Sequence, residues 1–136
     1  MVPRDFLRLA QQLSGGGAAS VRTAISRAYY AAHHTGVEVL EGMGFAIPRN
    51  PQGHNEVLTL LNRSRDPDIQ RTGNELRELY GKRIRADYRF NKLDVENPKT
   101  AAALVAQADK LMLILEACRS DPRRQAVKAS IEPAST

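Results

Sequence analysis

Arg83 and Asp87 stand four residues apart in a segment whose apolar residues Ile69, Leu76, Leu79, Tyr80 and Phe90 define one helical face. Both charged side chains fall in the middle of that same face. The other basic residues of the segment, Arg71, Lys82, Arg85, Arg89 and Lys92, fall on its outer side. A guanidinium and a carboxylate on a core-facing stripe must pair, be hydrated in a cleft or meet a ligand, because an unpaired buried charge is costly. Spacing i, i+4 lets the two reach each other. Two chemistries follow: a structural salt bridge, or a phosphate-binding Arg83 held in place by Asp87.

A second segment offers a partner surface. Arg22, Ser26, Tyr29 and His33 line one edge of an apolar helical stripe. If the two helices pack antiparallel, those groups face Arg83 and Asp87 across a groove. Tyr29 also reads as a core aromatic whose hydroxyl finds a partner. His33 reads as an edge histidine and His34 as a solvated one. Adjacent histidines cannot share a metal from one helical face, and no HExxH spacing exists, so no metal site is expected. His54 opens the next helix beside a loop, which suits an exposed or hydrogen-bonding role. Cys118 lies on an apolar stripe as a buried thiol. Neither a GxSxG elbow nor paired hydrolase carboxylates occur.

The elements that must position these residues are helices. Pro3 opens the first, with Phe6, Ala10 and Leu13 at helical spacing and Leu9 beside them; Gly15-Gly16-Gly17 stops it. No Gly-Lys-Ser/Thr follows that triplet, so it is a hinge and not a phosphate cradle. The second helix runs from about Ala18 to Met43, with Val21, Ile25, Ala28, Tyr29, Ala32, Val39, Leu40 and Met43 inward and Arg27, His34, Glu38 and Glu41 opposite. A rigid loop at Ile47–Pro51 leads to a short third helix, His54 to about Asn62. Asp66-Pro67 is an N-cap followed by a first-turn proline, and starts a fourth helix reaching Phe90 or Asn91. Asn97-Pro98 repeats that signal for a fifth, whose stripe includes Ala101, Leu104, Val105, Ala108, Leu111, Met112, Leu115 and Cys118. From Ser120 the composition turns to Ser, Pro, Ala and basic residues. Residues 120–136 therefore read as a flexible basic tail behind a domain of residues 1–119.

The chain has 136 residues, 42% of them hydrophobic and 5% aromatic, with no Trp. That suits one all-α domain, an up-and-down bundle of about five helices packed through aliphatic and alanine side chains. A formal charge of +5 permits a polyanionic partner. The lone cysteine rules out an internal disulfide. No apolar run reaches ~18 residues and the N-terminus lacks a signal peptide's apolar stretch, so the expected location is cytoplasmic, away from membranes.

Arg22-Thr23-Ala24-Ile25-Ser26-Arg27-Ala28-Tyr29-Tyr30-Ala31-Ala32-His33 resembles the second helix of HEPN-domain proteins, which commonly show S-R-A-Y-Y-A-A-F/H there. Arg83-Ile84-Arg85-Ala86-Asp87-Tyr88 looks like the R-x-x-A-D-Y segment of one prokaryotic HEPN branch, and the likeness covers about residues 4–118. The resemblance implies a homodimer with polar residues near the dimer cleft and an association with a nucleotidyltransferase in a toxin–antitoxin or phage-defence pair. Many HEPN proteins are metal-independent ribonucleases in which an Arg binds the scissile phosphate and a His four to six residues on handles protons. Arg83 matches that Arg. The His is missing, since Ile84 to Phe90 contain none. A carboxylate at Asp87, with an ordinary pKa of ~3.9, is a weak substitute.

The resemblance therefore implies nucleotide or RNA binding through Arg83, with Tyr88, Ser26, Tyr29 and His33 as neighbouring ligand-binding residues and catalysis weak or absent. No cofactor is implied. One alternative is an RNase toxin using Arg83 with Asp87 or a helix-2 histidine. The other is a non-catalytic dimeric adaptor in which Arg83–Asp87 is a lock.

Overall fold

A computed structural model describes residues 1–133. Among them are six α-helices: α1 (Pro3–Leu13), α2 (Ala18–Gly42), α3 (Gln52–Arg63), α4 (Pro67–Tyr88), α5 (Pro98–Glu116) and α6 (Arg123–Ile131). Short 3-10 turns at Leu93–Glu96 and Ala117–Arg119 flank α5. The expected helix starts hold for local chemical reasons. Asp66 Oδ1 accepts the backbone N–H groups of Asp68 and Ile69 at 3.0 and 3.3 Å, and Asn97 Oδ1 accepts that of Lys99 at 2.8 Å. Each is followed by a proline, whose missing N–H would have had no partner in the first turn.

The long helix α2 is the spine, and α1, α4 and α5 all pack against it. Ala24, Ala28, Ala31, Ala32 and Ala108 are fully buried, so helix axes approach closely around Ile25, Leu40, Leu79 and Leu111. Gly73 serves the same end where α4 crosses α3. A Cβ there would lie 3.0 Å from the Leu61 Cβ and the Asn62 side-chain oxygen. The result is an all-helical bundle, and no described helix is long and apolar enough to cross a membrane.

Three expectations need correction. Helix α4 ends at Tyr88, before Phe90, and Arg89 leaves helical geometry at φ −112°, ψ 79°. Phe90 is therefore not on the inner face; it is 77% exposed, because the helical projection stops applying once the helix stops. In α1 the buried residues are Pro3, Leu7 and Ala10, with Phe6 and Leu13 packed at the margin and Leu9 turned outward.

The third correction concerns the tail. Residues 123–131 are α6, which buries Val127 and Ile131 in the main core. Polar contacts fasten it: Arg123 donates to both Asp66 carboxylate oxygens at 2.5 and 3.2 Å, and the Ser64 and Ser130 hydroxyls meet at 2.6 Å. The Arg65 backbone N–H and guanidinium donate to the Ser130 and Ala129 carbonyls at 3.0 and 2.7 Å. Nine residues with two core anchors do not display a stripe, so the hydrophobic pattern alone missed the helix. Residues 134–136 of the proposed tail lie outside the described residues.

Candidate functional site

The seam between α2 and α4 is antiparallel, as the groove expectation required. Arg22, Ser26 and Tyr30 recur every four residues on one edge of α2 and meet α4 in reverse order. Arg22 reaches the carbonyls of Ala86 and Arg89 at 3.1 and 3.2 Å. Ser26 Oγ donates to Asp87 Oδ2 at 3.1 Å, and Arg83 Nη2 donates to the Tyr30 hydroxyl at 2.6 Å. Tyr30 was not among the expected site residues. The signal for it was present: it continues the Arg22–Ser26 row by one more turn, whereas Tyr29 lies about 100° away from it.

Arg83 keeps only 12% of its side chain exposed, and Asp87 keeps 27%. Arg83 Nε lies 2.9 Å from Asp87 Oδ2, yet its N–H finds no acceptor in good alignment, so the pair is a charge contact without a hydrogen bond there. The guanidinium carbon also sits 5.1 Å from the ring centre of Tyr30 and 5.4 Å from that of Tyr88. Ring quadrupoles thus supply part of the negative potential that a second carboxylate would otherwise provide. Among the described residues Arg83 Nη1 makes no protein hydrogen bond and is not enclosed. Donors remain for an oxyanion such as a phosphate, which two guanidinium N–H groups can meet side by side.

All three histidines of the chain gather at the Arg83 end of this seam. The rings of His33 and His54 stack at 4.3 Å, and His34 lies edge-on to His33 at 5.3 Å. Tyr29 and His33, expected to face Arg83, instead face His54 at the start of α3. The Tyr29 hydroxyl is 2.5 Å from His54 Nδ1. Burial pushes the Tyr29 phenol far above its usual range, so it keeps its proton. Whichever of the two donates, the bond engages His54 Nδ1 and leaves Nε2 as the ring's other polar atom. A cavity of about 330 Å³ opens beside the cluster, lined by Tyr30, His33, His34, Arg49 and His54 among others.

Burial lowers the pKa of all three imidazoles. For His33 it falls to about 3, and its Nδ1 is enclosed without a hydrogen-bond partner. For His54 the nearby Arg83 charge adds to the burial effect. These are neutral rings at pH 7, and His33 is unable to act as an acid there. Among the described residues no three His, Cys, Asp or Glu side chains are grouped to hold a metal ion.

Arg22 has a different task. Its Nη1 donates to the carbonyls of Arg85, Ala86 and Arg89 at 3.1–3.2 Å, and its Nη2 to those of Phe90 and Lys92 at 3.2 and 3.0 Å. Nε and Nη2 both bond Glu96 Oε2, at 2.8 and 2.6 Å. It binds carbonyls of the last turn of α4 and of the segment after it, and places a cation at the negative end of the α4 dipole. It thereby ties the segment after Tyr88 to α2. Tyr88 itself is 63% exposed beyond Arg83.

Compared with protein-family models, with curated proteins and with solved structures, the chain matches none.

Proposed function

We propose that the chain is a HEPN-like protein that binds the phosphate of a nucleotide or RNA through Arg83. The observation that supports this reading most is the state of Arg83: held on the α2–α4 seam, yet with an Nη1 that makes no hydrogen bond to the described residues. A guanidinium that served only to lock two helices would have its donors consumed, because each unmet buried donor weakens the fold. In this reading the protein is a cytoplasmic homodimer that works beside a nucleotidyltransferase in a toxin–antitoxin or phage-defence pair, and binding, not catalysis, is its main task. Light scattering at micromolar concentration reads the dimer directly; a clean monomer there contradicts it. Titration of AMP and a short RNA into wild type and Arg83→Met tests the site. Loss of binding by a folded variant supports it, and unchanged binding ends it.

A ribonuclease reading is favoured by one observation, the placement of His54 beside Tyr30 and Arg83. The residue that such chemistry needs is then His54, with Nδ1 fixed by Tyr29 and Nε2 left for substrate, and neither Asp87 nor the enclosed His33. Incubation with total RNA in the presence of a chelator separates the readings. Cleavage by wild type that His54→Asn removes makes the protein an enzyme, and intact RNA leaves it a binder.

A further inference from the structure

Beyond Arg83, the seam ends in two exposed aromatic rings whose setting is unusual. Tyr88 and Phe90 are 63% and 77% exposed, and each ring rests near a guanidinium fixed by the fold: Arg83 at 5.4 Å from Tyr88, Arg22 at 5.7 Å from Phe90. Arg22 is held by the carbonyls and carboxylate it binds, and Arg83 by Tyr30 and Asp87. Both rings are therefore steadied from the protein side while most of their surface is open. Between and after them stand Arg89 and Lys92, which make no side-chain ion pair among the described residues. The neighbouring Lys82 and Arg85 differ, since both pair with Asp94.

We infer that Tyr88 and Phe90 form a stacking platform for a single-stranded nucleic acid, whose phosphates run past Arg89 and Lys92 to Arg83. This rests on the proposed phosphate role of Arg83 and names its ligand as a single strand. Stacking on an open aromatic ring needs an unpaired base, and free cations at the rim suit the strand's backbone. Duplex bases are already stacked on each other and have no face to offer.

The test uses fluorescence anisotropy with a labelled ten-nucleotide oligouridine, the same length of RNA duplex, and AMP as competitor. Wild type should prefer the single strand to the duplex. Phe90→Ala should weaken the single strand by about 5- to 150-fold, the range that removing a base–aromatic stack produces. Inorganic phosphate, which has no base to stack, should bind the variant as it binds wild type, and Phe90→Trp should retain oligomer binding. Arg89→Gln with Lys92→Gln should flatten the salt dependence by about 0.7 in log–log slope for each phosphate that is no longer neutralised. If AMP binds, but the oligomer binds no tighter and Phe90→Ala changes nothing, the platform is refuted while the Arg83 reading stands. If neither AMP nor oligomer binds, both fall. Self-association abolished by Phe90→Ala, with oligomer binding intact, would assign the patch to a protein partner and overturn the inference. Because Phe90 is outside the core, the variant's melt should match wild type, so a loss of binding is not a loss of fold.

Discussion

Replacing Arg83 and Asp87 singly and together separates a site from a scaffold by thermodynamics alone. For a sealed ion pair, removing one partner strands the other charge and costs about 3–5 kcal/mol, while replacing both with apolar residues is neutral or stabilising. The geometry here is not sealed. After Arg83→Met, Asp87 keeps its bond from Ser26 and its partial access to water, so the stranding penalty is softened. What disappears is the hydrogen bond to Tyr30, which as a charged-donor bond contributes about 1.5–3 kcal/mol, offset in part by the better burial of Met. A net loss of about 1–2 kcal/mol follows, or roughly 3–10 °C in Tm for a chain of this size. The same argument applied to a lock gives roughly 10–25 °C for each single change and recovery in the double variant Arg83→Met/Asp87→Leu. Urea and thermal melts give the stability, and AMP and RNA titrations on the same samples give the binding. Arg83→Lys should bind poorly despite its charge, because an ammonium lacks the planar fork. Single variants that each lose ~4 kcal/mol or more, with a double variant as stable as wild type, would refute the reasoning.

A chain ending at Asp121 should melt roughly 10–30 °C lower, since Val127 and Ile131 each contribute about 1.5–3 kcal/mol of burial; an unchanged melt would show that α6 does not stay docked. Acid should destabilise the fold through His33. Its folded pKa is depressed to about 3 against an ordinary 6.5, so between those values the unfolded chain binds a proton that the fold refuses. Stability is then full above pH ~6.5 and declines as pH falls, with a slope of up to ~1.4 kcal/mol per pH unit towards pH 3. His33→Gln should flatten that part of a pH series of urea melts, and an unchanged slope would contradict the burial argument.

The helical class and the first residues of α4 and α5 were legible because they depend on local signals: periodicity, Asp66-Pro67 and Asn97-Pro98. The end of α4 was not, since the segment after Tyr88 is tied down by Arg22, more than sixty residues earlier in the chain. Part of the site was legible for a similar reason. The antiparallel seam, Ser26 beside Asp87 and the Arg83–Asp87 contact follow from spacing on two helices. Tyr30 was obscured by its neighbour, because adjacent tyrosines make either one a candidate until the register of the seam is known. His54 was obscured by position: it stands at the start of a short helix, and only the fold over the Ile47–Pro51 loop brings it against Tyr29. The helix α6 was hidden because polar contacts with α3 and the Asp66 cap hold it as much as its two apolar anchors do.

The two arginines of the seam show why burial alone does not mark a functional group. Both are largely enclosed, both lie on the seam between α2 and α4, and both lie within 6 Å of an aromatic ring centre. Arg22 places Nε, Nη1 and Nη2 in seven hydrogen bonds, five of them to carbonyls of the last turn of α4 and the segment that follows it. Its charge is matched by Glu96 at 2.6 Å. Nothing is left over for a ligand, and removing it would undo the helix end that presents Tyr88 and Phe90. Arg83 has one good hydrogen bond, one misaligned carboxylate neighbour and two rings. Such a cation is still attracting acceptors. A fold with no use for that attraction is stabilised by an apolar residue at position 83, because an enclosed and incompletely bonded charge weakens it. In the proposed reading, this difference in saturation gives Arg22 the task of holding the site and Arg83 that of binding its ligand.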